Sequence, residues 1–400
     1  MFYPFLKTIM TREELDIVLH AEVREAIEQN IERDPLKVAL EKHLPQARVV
    51  ATQVKYLQRS RVKLPRLYAA RGILPDRAFE QSSSDECAAA KRLSGGRLLD
   101  LTCGLGIDSS RFAERFEHVV AVERDEVLAD VVRENMRRMG IGNVEVVTAS
   151  AEEYLEQAAA AGERFDWVYA DPDRRTADGR RVVRLEDCSP NMVLLEPLIR
   201  RVTDRLAIKN SPLFDVDEAF RLFGQCGVEV ISLGDECKEV MIYADGREPM
   251  LAAEAIGRGR AEVALSELEQ FMAERRELTA EDFASEQYEY LVVPDVALQK
   301  ARLVEWALQG KADVWSNNSF GFARTMPDEV VGRVMKIKEI YPYDIKQLKR
   351  RFKGEGVDIL LRDFPVGVDE VRRRASMRSG SKHRLAMTRI GGKLYVVELE

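Results

Sequence analysis

The chain has 400 residues, 46% apolar and 32% charged, a composition that excludes a disordered chain and exceeds one ordinary core. Its net charge of −7 hides an asymmetry, because residues 331–400 carry 17 Lys or Arg against 9 Asp or Glu. No apolar run reaches the roughly 18–20 residues that span a bilayer. The five cysteines lack CxxC spacing and the four histidines are scattered, so neither a disulfide framework nor a metal site is expected.

The opening MFYPFLKTIM carries no basic leader or cleavage site, and a cytoplasmic protein is expected. Residues 1–84 read as a helical region. Thr11 and Glu14 form a capping box ahead of a helix with apolar spacing of three and four. PLKVALEKH and the basic stretch VATQVKYLQRSRVKLPRLYAARG follow as further helices. From Arg97 strands alternate with helices: RLLDLT, VVAVE, VEVVTA, WVYAD and RLAIKN are the strands. That alternation predicts a parallel sheet with helices on both faces. VEVISL and KEVMIYA are separated by GDEC alone, so this last pair must be an antiparallel hairpin. Residues 85–245 therefore form an α/β domain. Residues 246–328 read as a small α+β module that opens with the helix-like AAEAIGRGRAEVALSELEQFMAERREL. Residues 329–400 read as strand, basic helix, strand, helix and a hairpin turning at Gly391–Gly392.

The most informative motif is DLTCGLGID, residues 100–108, at the carboxyl end of the first strand. Gly104 and Gly106 permit a tight turn and a close ligand. Glu123 ends the second strand, where a carboxylate accepts hydrogen bonds from ribose hydroxyls. A dinucleotide site wants a third glycine and a helix N-terminus facing pyrophosphate. Here that glycine is absent, and Asp108 would face the phosphates. S-adenosylmethionine has no phosphate, and its ammonium suits Asp100 and Asp108. The motif, with VAVE and the terminal hairpin, resembles class I S-adenosylmethionine-dependent methyltransferases. The fold implied is their Rossmann-like α/β sheet, here with an N-terminal helical region and C-terminal α+β modules. The G-L-G-x-D form is similar to one group of ribosomal RNA guanine-N2 methyltransferases. The resemblance assigns Asp100, Thr102, Gly104, Gly106, Asp108 and Glu123 to S-adenosylmethionine. It leaves Ser150 or Glu152 to meet the adenine. The segment 79–84 either contacts the methionine end or caps a helix through Ser84.

Asp171-Pro172-Asp173-Arg174-Arg175 follows the fourth strand, on the sheet edge where substrates of open α/β folds sit. It resembles the (D/N)PP(Y/F) motif of enzymes that methylate exocyclic amino nitrogens, with Asp171 and Pro172 as the catalytic pair. It departs from that motif at Asp173 and Arg174, where a second proline and a stacking aromatic are expected. Arg174 and Arg175 either grip a phosphate or pair with Glu186 and Asp187. Lys209, ending the fifth strand, either touches substrate phosphate or neutralises Asp171.

In the basic end, Lys349, Arg350 and Arg351 share a helix, and Arg372, Arg373 and Arg374 form a second cluster. Such clusters bind phosphate backbones without reading sequence. Few aromatics are interleaved, which points to structured RNA rather than single strands. This end resembles the THUMP-like domains of bacterial methyltransferases, and residues 246–328 resemble the ferredoxin-like module that accompanies them. The resemblance implies structured RNA, transfer or ribosomal, as partner, with neither metal nor membrane.

Overall fold

The computed structural model describes residues 10–174 and 184–400. The chain forms two compact units. The first holds the residues up to Cys226 with Met241–Arg247, and the second holds Gly227–Val240 with Glu248–Glu400.

In the first unit, the capping box of Thr11 and Glu14 starts the helix Arg12–Leu19. The helix Ala47–Lys63 buries Val50, Val54 and Leu57 on one face. These residues pack with Leu15, Val18, Val23 and Ile27 of the preceding helices. The same apolar cluster includes Leu105 and Ile107 of the glycine motif, so the helical layer forms the backing of that loop. Two buried side-chain amides fasten it. Asn135 pairs with both the N–H and the carbonyl of Ile73, at 2.7 and 2.9 Å. Gln53 does the same for Leu74, at 3.0 and 3.3 Å.

Five parallel strands follow: β1 (Gly95–Asp100), β2 (Phe116–Glu123), β3 (Val144–Thr148), β4 (Trp167–Ala170) and β5 (Leu206–Asn210). Their order is β3-β2-β1-β4-β5. Strands buried on both faces need continuous apolar runs, and β4 and β5 are buried at every position. The order reverses between β1 and β4, and at such a switch point a crevice opens beyond the carboxyl ends.

In the second unit, β6 (Gly227–Leu233) turns into β7 (Glu236–Ala244) through Gly234 and Asp235. Both turn residues have positive φ, 62° and 65°, as a two-residue hairpin requires. The boundary between the units falls inside β7. The helix-like stretch of residues 252–278 is mostly strand and loop. β8 (Met250–Ala255) pairs parallel with β6, and β9 (Gly259–Ala264) pairs antiparallel with β8. Only Leu265–Glu274 is helical. Alanine and glutamate favour a helix locally, but an open strand edge and the buried Glu229, bonded to Arg260 at 3.0 Å, override that preference.

The remaining strands are β10 (Tyr290–Pro294), β11 (Asp313–Val314), β12 (Gly321–Ala323), β13 (Gly332–Pro342), β14 (Gly356–Leu361), β15 (Arg378–Ser379), β16 (His383–Ile390) and β17 (Lys393–Leu399). They make one sheet, ordered β11-β12-β10-β13-β17-β16-β14-β15. The long β13 pairs with β10 through residues 332–336 and with β17 from Ile337 onward. The expected ferredoxin-like module of 246–328 is therefore not a free-standing sheet: β8 and β9 extend β6, while β10–β12 join the strands that follow.

Asn135→Ala leaves two buried backbone groups unpaired, at about 1–3 kcal/mol each. A lowered urea midpoint with unchanged cofactor-site residues checks this; an unchanged midpoint would show that the amide clamp contributes nothing.

Candidate functional site

The glycine motif folds as a loop tied to its neighbours by backbone groups. Leu101 N–H bonds to Tyr169 O, and Cys103 N–H to Val122 O. Gly104 N–H bonds to Glu123 Oε2 at 3.0 Å. The two glycines are needed for different reasons. Gly106 has φ 77°, and a Cβ there would lie 2.8 Å from Val132 and 2.9 Å from Met136 of the helix Glu126–Arg138. Gly104 has φ 55°, and a Cβ there would meet nothing nearer than Thr102 O at 3.9 Å. Gly104, unlike Gly106, lines a cavity of about 690 Å³ in the first unit. Thr102, Asp108, Glu123, Ser150, Glu152, Asp171, Pro172 and Arg174 line the same cavity.

Asp100 is placed differently from expectation. It is 1% exposed and does not line the cavity. Its carboxylate accepts from Thr102 N–H at 3.1 Å and Ser109 Oγ at 2.5 Å, so it braces the loop from beneath. Burial pushes its carboxyl up to about 7, against the pull of those two hydrogen bonds. Asp108 does line the cavity, but its oxygens are already engaged. Lys91 Nζ donates to it at 2.6 Å, Tyr169 Oη at 2.8 Å and Ser83 Oγ at 3.0 Å. Burial raises the Asp108 carboxyl, and the charges of Lys91 and Lys209 more than offset it, leaving the group below the usual range. Asp100 therefore supports the loop from within the core, whereas Asp108 reaches the cavity with its oxygens already bonded to three side chains. Lys91, fully buried, was missed because no motif marks it.

Glu123 lines the cavity with its carboxylate only partly engaged. Each carboxylate oxygen accepts one backbone N–H, from Gly104 and from Asp125 at 2.9 Å. A carboxylate has about four acceptor positions, so capacity remains for ligand hydroxyls. Burial raises its pKa, opposed by those N–H groups. Ser150 caps the helix Ala151–Ala160 and is held reciprocally by Glu153. Exposed Glu152 is the freer of the two candidates for the adenine end. Ser84 caps the helix Asp85–Ala90 as one reading had it, while its neighbours Ser82 and Ser83 line the cavity.

Asp171 N–H donates to Thr102 Oγ1 at 2.6 Å, joining the acceptor loop to the glycine motif. Its Oδ2 accepts from Lys209 Nζ at 2.6 Å. Lys209 is 5% exposed and also donates to Ser83 Oγ at 2.8 Å, so it neutralises Asp171 and is withdrawn from bulk solvent. Asp173 exchanges backbone bonds with Ser189 and reaches Arg77 at 3.5 Å. Arg174 makes no ion pair among the described residues, and Arg175 lies outside them. Glu186 is within 3.7 Å of Arg221 instead.

The basic clusters of the second unit are thinned by pairing. Lys349 and Arg350 are exposed on the helix Ile345–Phe352. Arg351 is bound to Glu339 at 2.8 Å and Glu398 at 2.5 Å, which removes it from the basic surface. Arg372 is half-buried with Val357 O as acceptor at 3.3 Å, and Arg374 pairs with Glu370. Arg373 is exposed, 3.9 Å from Glu370.

A solved structure of a putative methyltransferase from Porphyromonas gingivalis W83 has the same fold, with TM-score 0.80 over 98% of this chain and 99% of that one, at 22% identity. An uncharacterized S-adenosylmethionine-dependent methyltransferase of Mycobacterium tuberculosis is 26% identical over 335 residues, 82% of this chain and 87% of the relative. The chain is an S-adenosylmethionine-dependent methyltransferase with the Rossmann-like fold of the class I enzymes. Residues 332–399 of the methyltransferase match the THUMP domain-like family, and residues 84–185 match the family described as conserved hypothetical protein 95. A 23S rRNA uracil-C5 methyltransferase of Vibrio parahaemolyticus is 34% identical over 137 residues, 34% of this chain and 30% of its own length. Among the described residues no helix is long and apolar enough to cross a membrane.

The open face of Gly104 and the spare acceptor capacity of Glu123 suit the cofactor, with Thr102 and Glu152 on the same cavity wall. Two predictions follow from the buried charges. Lys91→Met strands Asp108 and should cost about 3–5 kcal/mol, read as a fall in denaturation midpoint. Asp100 has a folded pKa near 7 against about 3.8 unfolded. The folded state therefore binds the proton more tightly, and this group lowers stability as pH rises from about 4 to 7. Asp100→Asn should gain in melting temperature relative to wild type across that window; a constant difference would contradict it.

Proposed function

We propose that this methyltransferase modifies structured RNA, transfer or ribosomal, at a base nitrogen bearing N–H, and works in the cytoplasm. One observation carries the reading. Asp171 presents a carboxylate in the same cavity as Gly104 and Glu123, with one oxygen fixed by a buried lysine. S-adenosylmethionine supplies a methyl group already activated by its sulfonium.

The protein then has to place the acceptor and handle its proton. Asp171 accepts a hydrogen bond from the acceptor N–H, which orients the nitrogen lone pair into the cavity, and it is placed to take the proton that this nitrogen loses once methylated. Lys209 holds the carboxylate in its rotamer and stabilises its charge. Pro172, buried in the cavity wall, limits where a planar acceptor rests. Arrangements of this kind lower the barrier through orientation and fixed electrostatics.

The RNA part of the reading rests on other observations. The THUMP domain-like match covers the basic end of the chain. Lys349, Arg350 and Arg373 remain exposed there for phosphate contacts. Two relatives are named for RNA substrates: the 23S rRNA enzyme and a tRNA/tmRNA uracil-C5 methyltransferase of Neisseria meningitidis, 33% identical over 108 residues. Those matches cover 34% and 23% of this chain, so they do not select the methylated atom.

Asp171→Ala should reduce methyl transfer to RNA from a strain lacking the gene by about 10²-fold or more, with calorimetric affinity for S-adenosylmethionine unchanged. Undiminished turnover would remove Asp171 from the mechanism. A wild type that transfers no methyl to any such RNA would overturn the substrate assignment.

A further inference from the structure

The first unit holds a second cavity, of about 240 Å³, that shares no lining residue with the cofactor cavity. We propose that it is a phosphate-binding site. Its wall carries four arginines from three segments: Arg24, Arg71, and the adjacent Arg137 and Arg138. Glu28 is the one carboxylate in that wall.

The local charges do not balance. Glu28 is taken by Arg71 in a two-pronged pair at 2.6 and 2.9 Å. Glu134 serves both Arg137 and Arg138, at 2.7 Å from each Nε. Two carboxylates thus face four guanidinium groups. Arg24 is exposed and makes no ion pair among the described residues. Arg138 is 11% exposed at its side chain. Its Nη1 donates to Arg71 O at 2.5 Å, while its Nη2 is buried without an acceptor. A buried N–H donor without a partner is costly, and it adds to the unbalanced positive charge behind this wall.

Arginines in a last helical turn complement the helix dipole, which accounts for Arg137 and Arg138 as charges. It does not account for the unfilled Nη2, nor for Arg24 arriving from another helix. Guanidinium forks match phosphate oxygens in pairs, whereas a lone surface cation does not. The wall is also rigid, because Asn135 and Gln53 clamp Ile73 and Leu74 beside Arg71. The sequence supports the same polarity: residues 42–75 contain eight Lys or Arg and no Asp or Glu.

The site has a geometric relation to the transfer cavity. Val127, at the other end of the helix Glu126–Arg138, lines the cofactor cavity. Ten residues of helix put Arg137 about 15 Å away. Under the RNA reading of the previous subsection, on which the ligand's source rests, the phosphate is a backbone phosphodiester beside the target nucleotide. A free phosphate compound shares that chemistry.

The test uses the full chain and the double variant Arg24→Gln/Arg137→Gln, both positions exposed and outside the cofactor cavity. Bulk transfer RNA is titrated at several salt concentrations, and inorganic pyrophosphate is added in a parallel melting series. Calorimetric affinity for S-adenosylmethionine, expected unchanged, verifies the fold. The site predicts that the slope of log affinity against log salt falls by about one for each cation removed. RNA binding with the wild-type slope in the double variant overturns it. If the wild type binds no RNA but pyrophosphate raises its melting temperature and not the variant's, the phosphate site stands and the RNA reading falls. If neither ligand registers, the site is refuted.

Discussion

The catalytic unit depends on keeping a small group of buried charges paired. Asp108, fixed by Lys91, Tyr169 and Ser83, is linked through Ser83 to Lys209 and so to Asp171. These residues come from the segments before β1, after β1, at β4 and at the end of β5. An unpaired charge at such depth costs several kcal/mol, so each segment must arrive where its partner waits. The two lysines are taken by Asp108 and Asp171, and the raised pKa of Asp100 reflects its burial first and then the negative charge of those two carboxylates.

The network ties the two ligand-facing loops together. Thr102 and Asp171 are joined at 2.6 Å, so the turn that receives the cofactor and the loop that receives the acceptor share a hydrogen bond. The helical layer adds a second restraint from behind, since Leu105 and Ile107 belong to its apolar core. A methyl transfer reaction asks mainly for fixed distance and angle between two ligands. The fold supports that requirement from beneath with buried groups such as Asp100, Lys91 and Ser109, which do not line the cavity.

The second unit solves a different problem. Its THUMP-like strands are completed by β10–β12 across the long β13, which gives the basic helix a sheet to rest on. Leu348 and Phe352 anchor that helix, leaving Lys349 and Arg350 outward. Carboxylates within the sheet claim Arg351, so the surface charge is smaller than the composition suggests. A polyanion would meet a few exposed cations on a rigid support.

Local requirements were legible in the sequence. The alternation of strands and helices, the capping box of Thr11 and Glu14, the hairpin at Gly234–Asp235 and the glycine motif each depend on residues within a few positions of one another. Glu123 and Asp171 could be named because strand ends at a switch point are where ligands bind. Partner choice was not legible. Lys209 and Ser83 are 126 residues apart, and Arg351 and Glu398 are 47 apart. Which cation meets which carboxylate is settled only when the sheet closes and water is excluded. The same holds for residues 250–264, whose alanine-rich composition favours a helix until the edge of β6 offers its backbone partners. The sequence by itself determined the alternating elements of residues 97–244 and the position of the glycine turn. Tertiary structure decided which charges serve ligands and which are consumed holding the site together, because burial makes an unpaired charge too costly to leave.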